Sequence, residues 1–125
     1  MKKTVLIPLG IFLACFILFH TVFLIGLVPS PSMEPTLHEG SMVLGLRFAC
    51  EYRDGDVIIF EHDGMLLVKR IAACGGETVW ADGKEITVPE GCCYVLGDNP
   101  EESADSRFWD DPFVRIGDIR AKVLV

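Results

Sequence analysis

Two side chains in this 125-residue sequence could together cut an acyl bond: a hydroxyl on stiff backbone and an amine among apolar neighbours. The hydroxyl is Ser32, in Pro29-Ser30-Pro31-Ser32-Met33-Glu34-Pro35-Thr36-Leu37. Three prolines fix φ at their own sites and bias Val28, Ser30 and Glu34 away from helix, which predicts extended backbone around Ser32. A proline-rich linker has the same composition, so this stretch alone leaves linker and active site both open. The amine is Lys69. Period-2 geometry over residues 65–73 puts Met65, Leu67, Lys69 and Ile71 on one face, and Leu66, Val68 and Arg70 on the other. A lysine in such company is often an edge-strand gatekeeper or a snorkelling chain. Its chemical reading is a desolvated, neutral amine. Bringing a lysine pKa from ~10.4 to about 8 takes ~3 to 4 kcal/mol of differential desolvation, which an apolar pocket can supply. A neutral amine beside a serine hydroxyl can take its proton, and that pairing is a Ser-Lys dyad.

Other chemistries fit less well. His38 follows Ser32 by six residues across a turn, and His62 falls at a hairpin tip open to solvent. There is no H-x-x-x-H or C-x-x-C spacing for zinc and no phosphate-binding glycine loop, so neither metal nor cofactor is expected. Cys50, Cys74, Cys92 and Cys93 could form two disulfides in three connectivities, while Cys15 lies in the apolar N-terminal run. Cys92 and Cys93 point to opposite faces of one strand, so a bond between them would be strained; Cys50 or Cys74 could pair with one of them, and a reducing setting would leave all four thiols free.

The elements that must position these groups begin with an anchor. Residues 5–28 carry no charge, and as a helix they would be roughly 36 Å long against a hydrocarbon core of ~30 Å. A cleavable secretory signal competes with this reading, but the run exceeds the usual ~7 to 15 residues and no A-x-A site follows. Lys2 and Lys3 precede the span, so the positive-inside rule puts the N-terminus in the cytoplasm and the body outside. Residues 29–125 hold 9 basic and all 18 acidic side chains. Such a body repels phosphate backbones and anionic headgroups, which excludes nucleic acid as an expected partner and leaves apolar groups for any contact with lipid.

Within the body, residues 41–46 read as a short strand after a turn at His38-Glu39-Gly40. Val57-Ile58-Ile59-Phe60 has the apolar, β-branched character of a strand buried on both sides. His62-Asp63-Gly64 turns the chain back into residues 65–73, and Ala81-Asp82-Gly83 centres a second hairpin. Residues 92–96 and 119–125 supply further strands on either side of an acidic loop at 101–111. No helical periodicity or internal repeat appears outside the anchor.

In this order the motifs resemble those of type I signal peptidases. Residues 29–37 look like the family's nucleophile box and Asp54-Gly55-Asp56-Val57-Ile58-Ile59-Phe60 like its next strand. Val68-Lys69-Arg70-Ile71 looks like its lysine box, and Gly97-Asp98-Asn99 through Ser103-Ala104-Asp105-Ser106-Arg107-Phe108-Trp109 like its C-terminal box. The resemblance implies a mainly β fold, a small antiparallel β-barrel-like catalytic domain at residues 29–125. One N-terminal transmembrane helix within residues 1–28 would precede it. It also implies Ser32 as nucleophile, Lys69 as general base, and the Ser32 N–H with the Ser30 hydroxyl as oxyanion hole. Ser103 would orient the amine, and Asp105 and Arg107 would form a supporting ion pair. Val28, Pro29, Met33, Leu37, Leu67 and Val68 would line pockets for small substrate side chains. The family usually has glycine after its tryptophan, whereas Asp110-Asp111-Pro112 stands here.

The function so implied is a membrane-anchored serine endopeptidase that removes signal peptides from exported preproteins. Its partners would be those signal peptides and the bilayer. Localisation would be single-pass in the cell membrane, with the catalytic domain extracytoplasmic. Two alternatives stay open: a specialised maturation peptidase for a pilin, conjugation or secretion substrate, and a tethered β-domain that binds without cutting.

Overall fold

The apolar N-terminal run does not stay helical to its end. In the computed structural model, which describes residues 2–125, α1 covers Lys2–Val22 and the chain then becomes a strand, β1, at Phe23–Leu27. The sequence assigns residues 23–27 to the anchor because an unbroken apolar run has no periodicity that separates helix from strand. Pairing decides it: β2 (Met42–Leu46) lies antiparallel to β1, with Phe23 opposite Leu46 and Leu27 opposite Met42.

The 21-residue helix is about 32 Å long and buries none of its side chains. It is long and apolar enough to cross a membrane, with a mean hydropathy of 2.4. Two polar side chains near its C-terminal end bond back to the helix: Thr21 Oγ1 donates to Ile17 O (2.7 Å) and His20 Nδ1 lies 3.0 Å from Phe16 O. The last turn is closed by Arg47, which donates from Nε to His20 O and Phe23 O and from its backbone N–H to Val22 O. Carbonyls that a helix end leaves unpaired are thereby met by a cation, on the end where the dipole favours one.

The remaining strands are β3 (Val57–His62), β4 (Met65–Cys74), β5 (Thr78–Ala81), β6 (Lys84–Thr87), β7 (Cys92–Leu96), β8 (Phe113–Arg115) and β9 (Ile119–Val123). Seven form one antiparallel sheet in the order β1-β2-β9-β3-β4-β7-β8, and β5-β6 is a separate hairpin. The mainly antiparallel β architecture agrees with the expected fold class. Among the described residues no ladder joins β1 to β8, so the sheet is barrel-like without being a closed barrel.

β3 sits in the middle because it is apolar at every position that matters. Val57, Ile58, Ile59 and Phe60 are all at most 3% exposed. Val57 and Ile59 join one cluster with Val28, Met33, Leu37 and Val43, whereas Ile58 and Phe60 join another with Ile71, Cys93, Val95 and Val114. Each such side chain stabilises the fold by roughly 1.5–3 kcal/mol. The β3–β4 turn has Asp63 and Gly64 at φ 49° and 77°, the left-handed pair that a two-residue hairpin requires. That turn sets the register that aligns Lys69 with Ile58. β8 escapes the sequence reading because three residues after Pro112 carry too little pattern.

Candidate active site

Ser32 and Lys69, 37 positions apart in sequence, come within hydrogen-bond distance: Lys69 Nζ lies 2.7 Å from Ser32 Oγ. Both residues are buried, at 5% and 4% exposure. β4 carries Lys69 beside β3, and on its other side pairing with β7 runs only as far as Arg70 opposite Leu96. There the chain leaves the ladder at Gly97, and the turn that holds Ser32 packs against it. Asn99 N–H donates to Ser32 O (2.9 Å) and Asn99 Nδ2 donates to Pro31 O (3.1 Å).

Ser32 is not on extended backbone as its prolines suggest. It lies in a 3-10 turn, Pro31–Met33, with extended Ser30 before it and Glu34 N–H donating to Pro31 O. Pro31 takes the first helical position, where a missing N–H costs nothing and a fixed φ suits the turn. The stiffness holds; the local conformation differs. Ser30 Oγ donates to Ser32 Oγ (3.2 Å) and accepts from Ser32 N–H at a long 3.5 Å. Both expected oxyanion donors therefore border the serine oxygen, and the N–H is only weakly engaged.

Asp105 organises the loop behind them. It is fully buried and accepts from Ser103 Oγ (2.7 Å), Gly97 N–H (3.0 Å) and Arg107 Nε (2.8 Å). Burial alone would raise its pKa, but the Arg107 guanidinium, the Gly97 N–H and the Ser103 hydroxyl outweigh this and hold it below the usual carboxylate value. Gly97 is required by space. A Cβ there would lie 2.1 Å from Ser103 Oγ and 2.6 Å from Ser32 O. Ser103 departs from expectation: its proton goes to Asp105, and no bond from it to the Lys69 amine occurs among the described residues. Lys69 is held below the ordinary lysine pKa by burial, partly offset by the negative charge of Asp105.

Of the expected pocket residues, Val28, Met33, Leu37 and Val68 come together in one apolar cluster next to Ser32. Leu67 packs into the cluster on the opposite side of β4, and Pro29 is exposed. His62 is not a solvated hairpin tip but stacks on Trp109 with ring centroids 3.9 Å apart. His38 is exposed beside Glu34. The loop after Trp109 is held without glycine, because Asp111 accepts from Phe113 N–H (3.2 Å) and Arg115 (3.1 Å). The sequence reading missed the roles of Arg70, Asp98 and Thr36. Arg70 forms a two-point contact with Asp98 (2.9 and 2.8 Å), which also accepts from Thr36 Oγ1 (2.6 Å), tying the serine segment to β4. Adjacency of Arg70 to Lys69 and the acidic Gly97-Asp98-Asn99 turn were the available signals. Elsewhere, donor atoms of Asp54, Cys74 and Glu77 lie within 4.8 Å of one another, a grouping that could hold a metal ion.

The family model described as "Signal peptidase, peptidase S26" matches residues 1–88 and 80–125, virtually the whole chain. The chain belongs to that family. Membership places it among the serine endopeptidases, a class of hydrolases. It is similar to mitochondrial inner membrane protease subunit 1 of Schizosaccharomyces pombe, at 34% identity over 82% of this chain and 72% of that protein. It is also similar to signal peptidase I of Bacillus licheniformis, at 29% identity over 65% of this chain and 64% of that one. Probable signal peptidase I-1 of Synechocystis sp. is 28% identical, with 66% of this chain and 60% of that protein covered. The chain thus spans less than two thirds of the last two S26 relatives.

Proposed function

We propose that this S26 chain is a membrane-anchored endopeptidase that removes N-terminal signal peptides from exported preproteins, with Ser32 as nucleophile and Lys69 as general base. The observation that carries this is the buried 2.7 Å contact between an amine and a hydroxyl. Neutral Lys69 takes the Ser32 proton as Oγ attacks the scissile carbonyl carbon. The Ser32 N–H and the Ser30 hydroxyl turn from each other toward the developing oxyanion, whose charge exists only in the transition state. Protonated Lys69 then gives its proton to the departing amine, leaving an acyl-enzyme on Ser32. A water that loses its proton to Lys69 resolves the ester and releases the signal peptide. Asp105, clamped by Arg107, holds Gly97 and Ser103 in place behind the dyad.

The substrate reading follows from edges and greasy surface. β1 ends the sheet order, and among the described residues β4 before Arg70 has a ladder only with β3, so extended substrate could add as a strand near both. Small side chains of such a strand would enter the cluster lined by Val28, Met33, Leu37 and Val68. α1 would cross the bilayer with Lys2 and Lys3 in the cytoplasm and the sheet outside. Ile25, Leu27 and Met42, exposed on the strands that follow the helix, would rest in the same interface. Enzyme and signal peptide then share a surface, which raises their effective concentration.

The test is cleavage of model preproteins by wild type, Ser32→Ala and Lys69→Ala in detergent or lipid. Wild type should release the signal peptide and both variants should not. Equal cutting by all three, or none by wild type across several preproteins, would sink the assignment.

A further inference from the structure

Away from the dyad, Cys74 at the end of β4 stands directly opposite Cys93 on β7. Directly opposed residues in an antiparallel ladder send their side chains to the same face, and both cysteines pack on the cluster containing Ile58, Phe60 and Ile71. The Cys74 N–H donates to Glu77 Oε1 (3.1 Å) and its carbonyl accepts from the Glu77 N–H (3.0 Å). Neither backbone group is directed at β7, which makes the pair a non-hydrogen-bonded one, a class whose Cα atoms typically lie about 4.5 Å apart. A disulfide spans Cα separations of about 4.4–6.8 Å. Both thiols are free in this structure, and Cys74 Sγ donates to Tyr52 O (3.7 Å), a contact it would give up on turning toward Cys93. Cys92 packs on the other side of β7 and Cys50 is exposed in a separate loop.

We propose that Cys74 and Cys93 close a cross-strand disulfide that staples β4, the strand carrying Lys69, to β7, the strand leading into the Gly97–Asp105 loop. Cys74 is the sulfur that reacts first. It lines an open cavity of about 370 Å³ with Tyr52, Arg53, Asp54 and Glu77, whereas Cys93 is 1% exposed. The oxidant is a dithiol-disulfide donor or oxidised glutathione. The Cys74 thiolate attacks one donor sulfur, the donor's other sulfur leaves as thiolate, and the Cys93 thiolate then displaces the first. Two cysteine protons are released, the pair is oxidised, and the donor is reduced to two thiols. Burial, reinforced by the neighbouring Asp54 carboxylate, pushes the Cys74 thiol up to about 12. The bond encloses the β5–β6 hairpin, so it restrains residues 75–92 in the unfolded chain as well as the sheet.

Exposure to an oxidising compartment rests on the orientation proposed above; the chemistry itself does not. The full chain in detergent is treated with oxidised glutathione at pH 8, the remaining thiols are alkylated, and intact mass and proteolytic peptides are read. The expected product has lost about 2 Da, joins Cys74 to Cys93, and melts about 10–20 °C higher than the reduced protein. Ser32→Ala, which cannot cut, must oxidise identically, so failure of the peptidase reading and failure of the staple are separable. Cys74→Ala must abolish both the mass loss and the melting shift. A bond joining other cysteines, a glutathione adduct that stays on Cys74, or a Cys74–Cys93 bond without a melting shift would overturn the proposal.

Discussion

Lys69 and Arg70 are neighbours on β4, yet the two faces of the strand treat their charges in opposite ways. Lys69 is buried against a hydroxyl, and burial lowers its pKa. Arg70 faces partly outward and holds Asp98 at two points, which raises its pKa while lowering that of the carboxylate. The carboxylate nearest in effect to Lys69, Asp105, is already committed to Arg107, Ser103 and Gly97. Strand alternation thus sorts a side chain that can shed its proton from one that cannot. Arginine could not exchange places with the lysine, since its guanidinium stays charged under any condition a protein survives.

The largest effect is expected from Lys69→Met, which fills the same space without the amine. Cleavage should fall by at least about 10³-fold, measured as kcat/KM on a preprotein. Stability should move the other way. Because the folded pKa of Lys69 lies below its unfolded value, the unfolded chain binds more protons between the two, and burying the lysine costs stability at neutral pH and below. Thermal melting should show Lys69→Met above wild type at pH 7, with the gap closing as pH approaches about 10.5. A variant less stable than wild type at neutral pH would mean that the amine is held charged.

Asp105→Asn tests the carboxylate behind that balance. The Asp105 charge raises the Lys69 pKa, so its removal should shift the midpoint of the activity rise toward lower pH. Stability should drop by about 2 kcal/mol, since the Arg107 fork and two further donors lose an ionised acceptor. The folded pKa of Asp105 is depressed, so its contribution is complete above about pH 4 and is lost as pH falls through the folded value. The variant should therefore lack part of the acid-side loss of stability that denaturation at pH 2 to 5 reveals in wild type.

How much of this was legible in the sequence follows from the same contrast. β3, β4 and both hairpins could be read because β-branched runs and Asp-Gly turns carry their own local signal. Alternation alone put Lys69 on an apolar face. β1 could not be read, because Phe23–Leu27 is as apolar as the helix before it and only pairing with β2 distinguishes them. Ser103 was assigned to the lysine by resemblance, yet its proton goes to Asp105, a choice made by a loop folding back on Gly97. The Arg70–Asp98–Thr36 tie leaves only faint signals for a similar reason: it joins three segments through one carboxylate, and no spacing encodes that.

Asp98→Ala addresses that tie on the charged side of β4. The Arg70 and Asp98 side chains are 34% and 17% exposed, so solvent screens much of the attraction and the expected loss is about 1 kcal/mol. Cleavage should fall modestly, because Thr36 follows the serine turn and loses its anchor. The pH midpoint of activity should not move, as Asp98 is not among the groups that shift Lys69. A moved midpoint would show that the two faces of β4 are electrically coupled after all.

The smallest effect is expected at an ion pair with the same chemistry and none of the burial. Arg115 lies 3.1 Å from Asp111, and the side chains are 64% and 57% exposed. Water and salt screen such a pair almost completely, and holding two mobile chains together offsets what attraction remains. In Arg115→Ala, Asp111 still accepts from the Phe113 N–H, so the loop beyond Trp109 keeps its backbone tie. Melting should change by less than about 2 °C, and cleavage should not change within error. A loss as large as that of Asp98→Ala would mean that the turn after Trp109 depends on its charge, and that Asp111 helps to position the Asp105 loop.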